Sequence, residues 1–216
     1  MSEVILFVCT ANLCRSPLAQ ALAVALSGAR AGAPPAPGAA SGTAAEVFDP
    51  EGASLRFASA GTAAIEGLPV HPFTAVALER RGLDLPGFSS GLLGPQDVHE
   101  AALIVTATRE HRAHCVRMLP SANRRCFTLR QLSRLATVID QDGLAAAPSA
   151  STAPGPAPRI GALLDAIPAA RGRIQPVAAV DDDLADPVMA GQEAFHACAQ
   201  EIARLLEPIV RLIATT

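Results

Sequence analysis

The 216-residue chain is half apolar, carries a net charge of −3, and has seven phenylalanines but neither tryptophan nor tyrosine. That length suits one well-filled core, and no apolar run approaches the roughly 20 residues needed to span a bilayer. Every basic residue is arginine, so the chain has neither the basic face of a nucleic-acid binder nor the lysine of a nucleotide-binding P-loop.

In chain order, "EVILFVC" (3–9) is a short β-rich run. No basic segment precedes it and no small-residue cleavage site follows, so it reads as a first strand rather than a leader, and the expected compartment is the cytoplasm. Five cysteines at irregular spacing fit a reducing compartment better than a disulfide framework. "PLAQALAVALS" (17–27) is an almost wholly apolar helical stretch with proline in its first turn. Residues 28–54 are dense in Gly, Ala, Pro and Ser without periodicity and read as a flexible insertion with no regular structure. The pattern resumes with a strand at 55–62, a glycine-ended helix at 71–82, a strand at 101–108, a helix at 109–119, a strand at 124–129 and a short helix at 130–136. A second low-complexity insertion at 143–158 precedes a helix at 159–167. The closing segment spaces Phe195, Cys198, Ile202, Leu205 and Ile209 three and four residues apart, giving one apolar helix face. Alternating strands and helices predict one domain over 1–216, an open, doubly wound α/β fold with a four-stranded parallel sheet and helices on both faces.

The first strand-to-helix loop carries the chemistry. In such sheets ligands bind where strand carboxyl ends meet helix N-termini, the place occupied by residues 9–16. Successive backbone N–H groups there form an anion nest, and Arg15 adds a guanidinium able to grip two phosphate oxygens. The same positive field favours a thiolate nucleophile at Cys9, with Ser16 as a hydrogen-bond donor to it.

The loop reads Cys9, Thr10, Ala11, Asn12, Leu13, Cys14, Arg15, Ser16, Pro17. It resembles the loop of the low-molecular-weight protein tyrosine phosphatase family, and further similar segments are "SAGT" (59–62), "ATREHR" (107–112) and "LADPVMAGQEAF" (184–195). The resemblance implies catalytic Cys9, Arg15 and Asp186. Thr10, Ala11, Asn12, Leu13, Cys14 and Ser16 would be the substrate-binding loop, and Ser59 would brace Asn12. It also implies a phosphocysteine intermediate, no metal or other cofactor, and a phosphorylated protein or a small phosphate monoester as the partner. The chain departs from the family at Ala11, which replaces a glycine, and at Gly91, where relatives often carry arginine. It also places Ile65 and Val188 where relatives commonly carry the aromatic residues that flank the cradle.

Two rival readings share the scaffold: an arsenate reductase using an external thiol, and a non-catalytic phosphate-binding protein. Elsewhere, His111, His114 and Cys115 share a helix face with Glu110 nearby, but no fourth ligand at a recognised spacing follows, so they read as surface or packing residues. Cys115, Cys126 and Cys198 read as core thiols, His71 as a residue at a helix start, and the run Asp181, Asp182 and Asp183 as solvated surface.

Overall fold

The computed structural model describes residues 3–28, 45–48, 54–139, 144 and 156–213. The elements are β1 (Glu3–Cys9), α1 (Arg15–Leu26), β2 (Ala45–Phe48), β3 (Ser54–Gly61), α2 (Pro72–Glu79), α3 (Pro95–Glu100), β4 (Ala101–Thr106), α4 (Arg109–Met118), β5 (Cys126–Thr128), α5 (Leu129–Val138), α6 (Pro156–Arg171) and α7 (Gln192–Ile213). Single turns of 3₁₀ helix lie at Pro120–Arg124 and Ala179–Asp182.

The sheet order is β2-β3-β1-β4-β5. β1 pairs in parallel with both β3 and β4, and β4 in parallel with β5, which gives the expected four-stranded parallel core. The expectation of no regular structure across 28–54 needs correcting. Ala45–Phe48 pairs antiparallel with β3 as a fifth, edge strand, because even a short extended stretch satisfies its backbone polar groups by joining an open sheet edge. Most of the second insertion lies outside the described residues; within it, Leu144 is buried and α6 begins at Pro156, earlier than the sequence predicts.

Both faces of the sheet are covered. Ile5, Phe7 and Cys9 of β1 face a large cluster with Leu18 and Leu22 of α1, Leu132 of α5, Leu163 of α6 and Phe195, Ile202 and Ile209 of α7. Leu6 and Val8 face a smaller one with Val98 of α3, Ile104, Cys115 and Cys126. This period-two split explains why β1 reads as a continuous apolar run rather than an alternating one. α7 continues through Pro208 to Ile213, with Phe195 and Ile202 fully buried. α2 stops short of its predicted end: a turn follows Glu79, and Gly82 adopts φ +66°, a left-handed position that favours glycine.

The β1–β3 register ends with Cys9 opposite Gly61, and Val8 lies opposite Thr106 of β4. Three strand ends therefore converge on the 10–14 loop. The Asp-Pro segment before α7 is brought to the same edge by Leu184 N–H bonding the Ala107 carbonyl at 2.9 Å.

Candidate active site

The loop between β1 and α1 is held by a buried polar network. Asn12 is fully buried and adopts φ +56°, a left-handed conformation that asparagine tolerates better than most residues. Its Nδ2 donates to Ser16 Oγ at 3.0 Å and Ser59 Oγ at 2.9 Å, and its Oδ1 accepts from Gly91 N–H at 2.9 Å. Ser59 in turn donates to Gln20 Oε1 at 2.7 Å, and Gln20 Nε2 donates to the Phe57 carbonyl at 3.2 Å. The brace that the resemblance implied between Ser59 and Asn12 is thus present in the geometry. Gln20 escaped the sequence reading, although one polar residue inside "PLAQALAVAL" was the available signal.

Gly61 fixes the loop from below. A Cβ on it would lie 2.5 Å from the Thr10 carbonyl oxygen and 2.8 Å from Asn12 N, so the backbones approach as closely as only glycine allows. Thr62 and Ala63 N–H bond the carbonyls of Cys9 and Thr10, each at 2.9 Å. On the far side, His71 N–H and Thr74 Oγ1 both donate to the Leu13 carbonyl. His71 caps α2 through Phe73 N–H and stacks on Phe195 with ring centroids 4.7 Å apart.

Cys9 Sγ lies 2.9 Å from Ser16 Oγ. Asn12 Nδ2 donates to that oxygen, and the Ser16 hydroxyl has both Cys9 Sγ and, at 3.5 Å, the Ala60 carbonyl within reach of its proton; given to the sulfur, that proton stabilises a thiolate. Cys14 is N-terminal to the first turn of α1 and buried; burial, only partly offset by a hydrogen bond with Thr74, pushes its thiol up to about 11. The two loop cysteines are chemically distinct, and only Cys9 has the Ser16 hydroxyl on its sulfur.

Arg15 is buried and joins two distant segments. Its Nη1 donates to the Leu184 carbonyl at 3.2 Å, and its Nη2 meets Asp186 Oδ2 at 2.5 Å, with Thr10 Oγ1 at 3.5 Å. Asp186 Oδ1 accepts from Val188 N–H. The acidic run ahead of it is more than solvated surface: Arg134 pairs with Asp182, Arg130 bonds the Asp181 carbonyl, and Asp183 accepts from Arg109 N–H at 2.7 Å. These contacts tie the segment carrying Asp186 to α4 and α5.

Of the two readings given for His111, surface or packing, the structure selects the buried one and adds polar partners. His111 is buried at the start of α4, with Nδ1 2.7 Å from Thr108 Oγ1 and Nε2 2.9 Å from Thr10 Oγ1. Burial first, and then the Arg15 cation, push it down to about 4, so it is neutral near pH 7. The folded state therefore refuses a proton that the unfolded chain accepts near 6.5, and stability falls as pH drops from 6.5 towards 4. Integrated over that window, the loss is about 3 kcal/mol. Replacing His111 by Asn is expected to flatten this part of the stability curve in urea unfolding at stepped pH; an unchanged acid slope would refute the assignment. Among the described residues, no group of His, Cys, Asp or Glu is placed to hold a metal ion. Cys115 and Cys126 are fully buried core residues, and Cys198 is buried on α7.

Ile65 and Val188, the residues that the family resemblance sets beside the cradle, are 71% and 47% exposed, and Met189 is 94% exposed. A rim formed there is aliphatic. No helix among the described residues is long and apolar enough to cross a membrane.

Residues 38–142, just under half of the chain, match the family model "low molecular weight phosphotyrosine protein phosphatase". That match does not reach the 9–17 loop or Asp186. Solved structures with the same fold include the YwlE arginine phosphatase of Geobacillus stearothermophilus (22% identity, TM-score 0.59, covering 97% of this chain and 91% of that one). The tyrosine phosphatase amsI of Erwinia amylovora is 18% identical with a TM-score of 0.60, covering 100% and 95%. The tyrosine phosphatase Wzb of Escherichia coli K30, solved with sulphate, is 16% identical with a TM-score of 0.57, covering 98% of each chain. No curated protein sequence gives a significant match.

Proposed function

We propose that this chain, a phosphatase of the low-molecular-weight phosphotyrosine protein phosphatase type by family match and fold, hydrolyses phosphate monoesters through a phosphocysteine at Cys9. The observation that carries the reading is the meeting of Arg15 with Asp186, 171 residues apart in sequence, at 2.5 Å beside the Cys9 loop. Nucleophile, anion cradle and acid then lie in one place.

In the first step the Cys9 thiolate attacks phosphorus. An S–P bond forms as the P–O bond to the leaving group breaks, and Asp186 gives that oxygen its proton. Backbone N–H groups of residues 10–15 and the Arg15 guanidinium hold the remaining oxygens and the charge that builds on them. In the second step water attacks the phosphocysteine, Asp186 takes its proton, and inorganic phosphate leaves as the Cys9 thiolate is restored. Ser16 serves both steps, because a donor to sulfur stabilises the thiolate as nucleophile and as leaving group.

The aliphatic rim bears on the substrate. An aromatic wall would add about 0.5–1.5 kcal/mol of ring stacking beyond simple burial, and Ile65 and Val188 provide none. Protein phosphotyrosine is therefore one accepted substrate among several, and small phosphate monoesters should compete on similar terms.

The test is a substrate panel for the parent and Asp186→Asn: a phosphotyrosine peptide, an aryl phosphate with a good leaving group and an alkyl phosphate. The variant should lose on the order of a hundredfold or more on the alkyl ester and much less on the activated aryl ester, since only the former needs the proton. Equal losses on both would refute the acid role. Arsenate reduction with a small thiol, measured alongside, distinguishes the rival chemistry: arsenate turnover without ester hydrolysis would replace the phosphatase reading.

A further inference from the structure

Thr10, the residue after the nucleophile, is exposed at the mouth of the loop, yet its hydroxyl sits at the end of a chain leading from the protein interior. Neutral His111 has one N–H and one lone pair on its ring, so the chain Thr108–His111–Thr10 must run in one direction or the other. Thr108 Oγ1 already accepts from the His111 backbone N–H at 3.3 Å as the cap of α4. If the ring donated from Nδ1 as well, the Thr108 proton would lack an acceptor at a half-buried position. If Thr108 donates to Nδ1, every group is used: Nε2–H donates to Thr10 Oγ1, which also accepts from Arg15 Nη2. Both lone pairs of the Thr10 oxygen are then taken. Its proton is the one left over, and it lies at the exposed end, where a ligand oxygen can receive it.

We propose that the Thr10 hydroxyl is an additional hydrogen-bond donor to the bound phosphoryl group, on the Arg15 side of the cradle, and that His111 is a positioning residue that holds it in the donating orientation. This rests on the phosphatase reading of the loop and adds a side-chain donor to its backbone ones. The placement is specific. Thr10 Oγ1 and Asp186 Oδ2 approach the same guanidinium nitrogen, so the hydroxyl faces the side on which the leaving oxygen departs and water arrives. A valine at position 10 would fill the same space and offer no proton; serine would keep the donor.

The experiment is a double-mutant cycle on Thr10→Val and His111→Asn, with Thr10→Ser as the conservative control. Asparagine keeps an acceptor for Thr108 but cannot reach Thr10. Two readouts are taken on each protein: kcat/KM for an aryl phosphate, and equilibrium binding of inorganic phosphate. Thr10→Val should lower both by about tenfold, the loss typical of one hydrogen bond to a charged group, and Thr10→Ser should recover most of it. His111→Asn should produce a similar loss alone and almost none in the Thr10→Val background. Full additivity would mean that His111 acts on stability rather than through Thr10, and would overturn its role; parent-like phosphate binding by Thr10→Val would overturn the donor. If the parent hydrolysed no ester, the phosphatase reading would fall, while phosphate binding across the same four proteins would still decide the proposal. Should His111→Asn unfold, Thr10→Val against Thr10→Ser decides the donor by itself.

Discussion

Cys9→Ser is expected to abolish ester hydrolysis, with a loss on the order of 10⁴-fold or more in kcat. The substituted hydroxyl would keep the hydrogen bonds of the loop, so the cradle should still bind inorganic phosphate. What disappears is the sulfur nucleophile of the proposed mechanism. Cys14 cannot stand in for it: it is buried, its thiol is pushed up to about 11, and it lies N-terminal to α1 rather than at the end of β1. Initial rates with an activated aryl phosphate, together with phosphate binding by calorimetry, check both halves. Turnover within tenfold of the parent would end the covalent mechanism.

Arg15→Lys should lose on the order of 10²- to 10³-fold in kcat/KM despite conserving charge. The guanidinium presents a planar fork and uses it twice in this fold, since Nη1 bonds the Leu184 carbonyl while Nη2 meets Asp186. A lysine brings a single nitrogen, which cannot grip two phosphoryl oxygens and hold the Asp-Pro segment together. The defect should therefore combine weaker phosphate binding with a stronger dependence on leaving-group quality, because the acid is no longer held over the loop. Comparing activated aryl with alkyl esters separates the two parts; a loss below tenfold on both would show that a point charge suffices.

The reach of sequence reasoning follows from how local each signal was. β1, its loop and the start of α1 form one continuous stretch in which strand pattern, motif and helix start coincide, so Cys9, Asn12, Arg15 and Ser16 were legible as one cluster, the cluster to which the proposed roles are assigned. Asp186 was named through the resemblance of "LADPVMAGQEAF" to the family's segment ahead of its last helix, here a strongly periodic one. The edge strand Ala45–Phe48 was not, since four residues amid Gly, Ala and Pro carry no periodicity and its pairing depends on an exposed neighbour strand. Gln20 was missed, and His111 was named without its partners, for a related reason: what distinguishes each is a partner more than 35 positions away in sequence, Ser59 for the first and Thr10 for the second. Gly61 is legible only in three dimensions, as the floor beneath the Thr10 carbonyl. The pairings of Asp182 with Arg134 and of Asp183 with Arg109 likewise depend on where the chain returns.

The Arg15–Asp186 contact also bears on how the product leaves. Free phosphate has to contest the Nη2 nitrogen with a carboxylate that the fold already holds against it. By the proposed second step Asp186 is protonated as phosphate forms, so its carboxylate returns to the guanidinium only after that proton is given up. In the resting protein, then, the group proposed to carry the proton is also the one that an incoming phosphate has to displace.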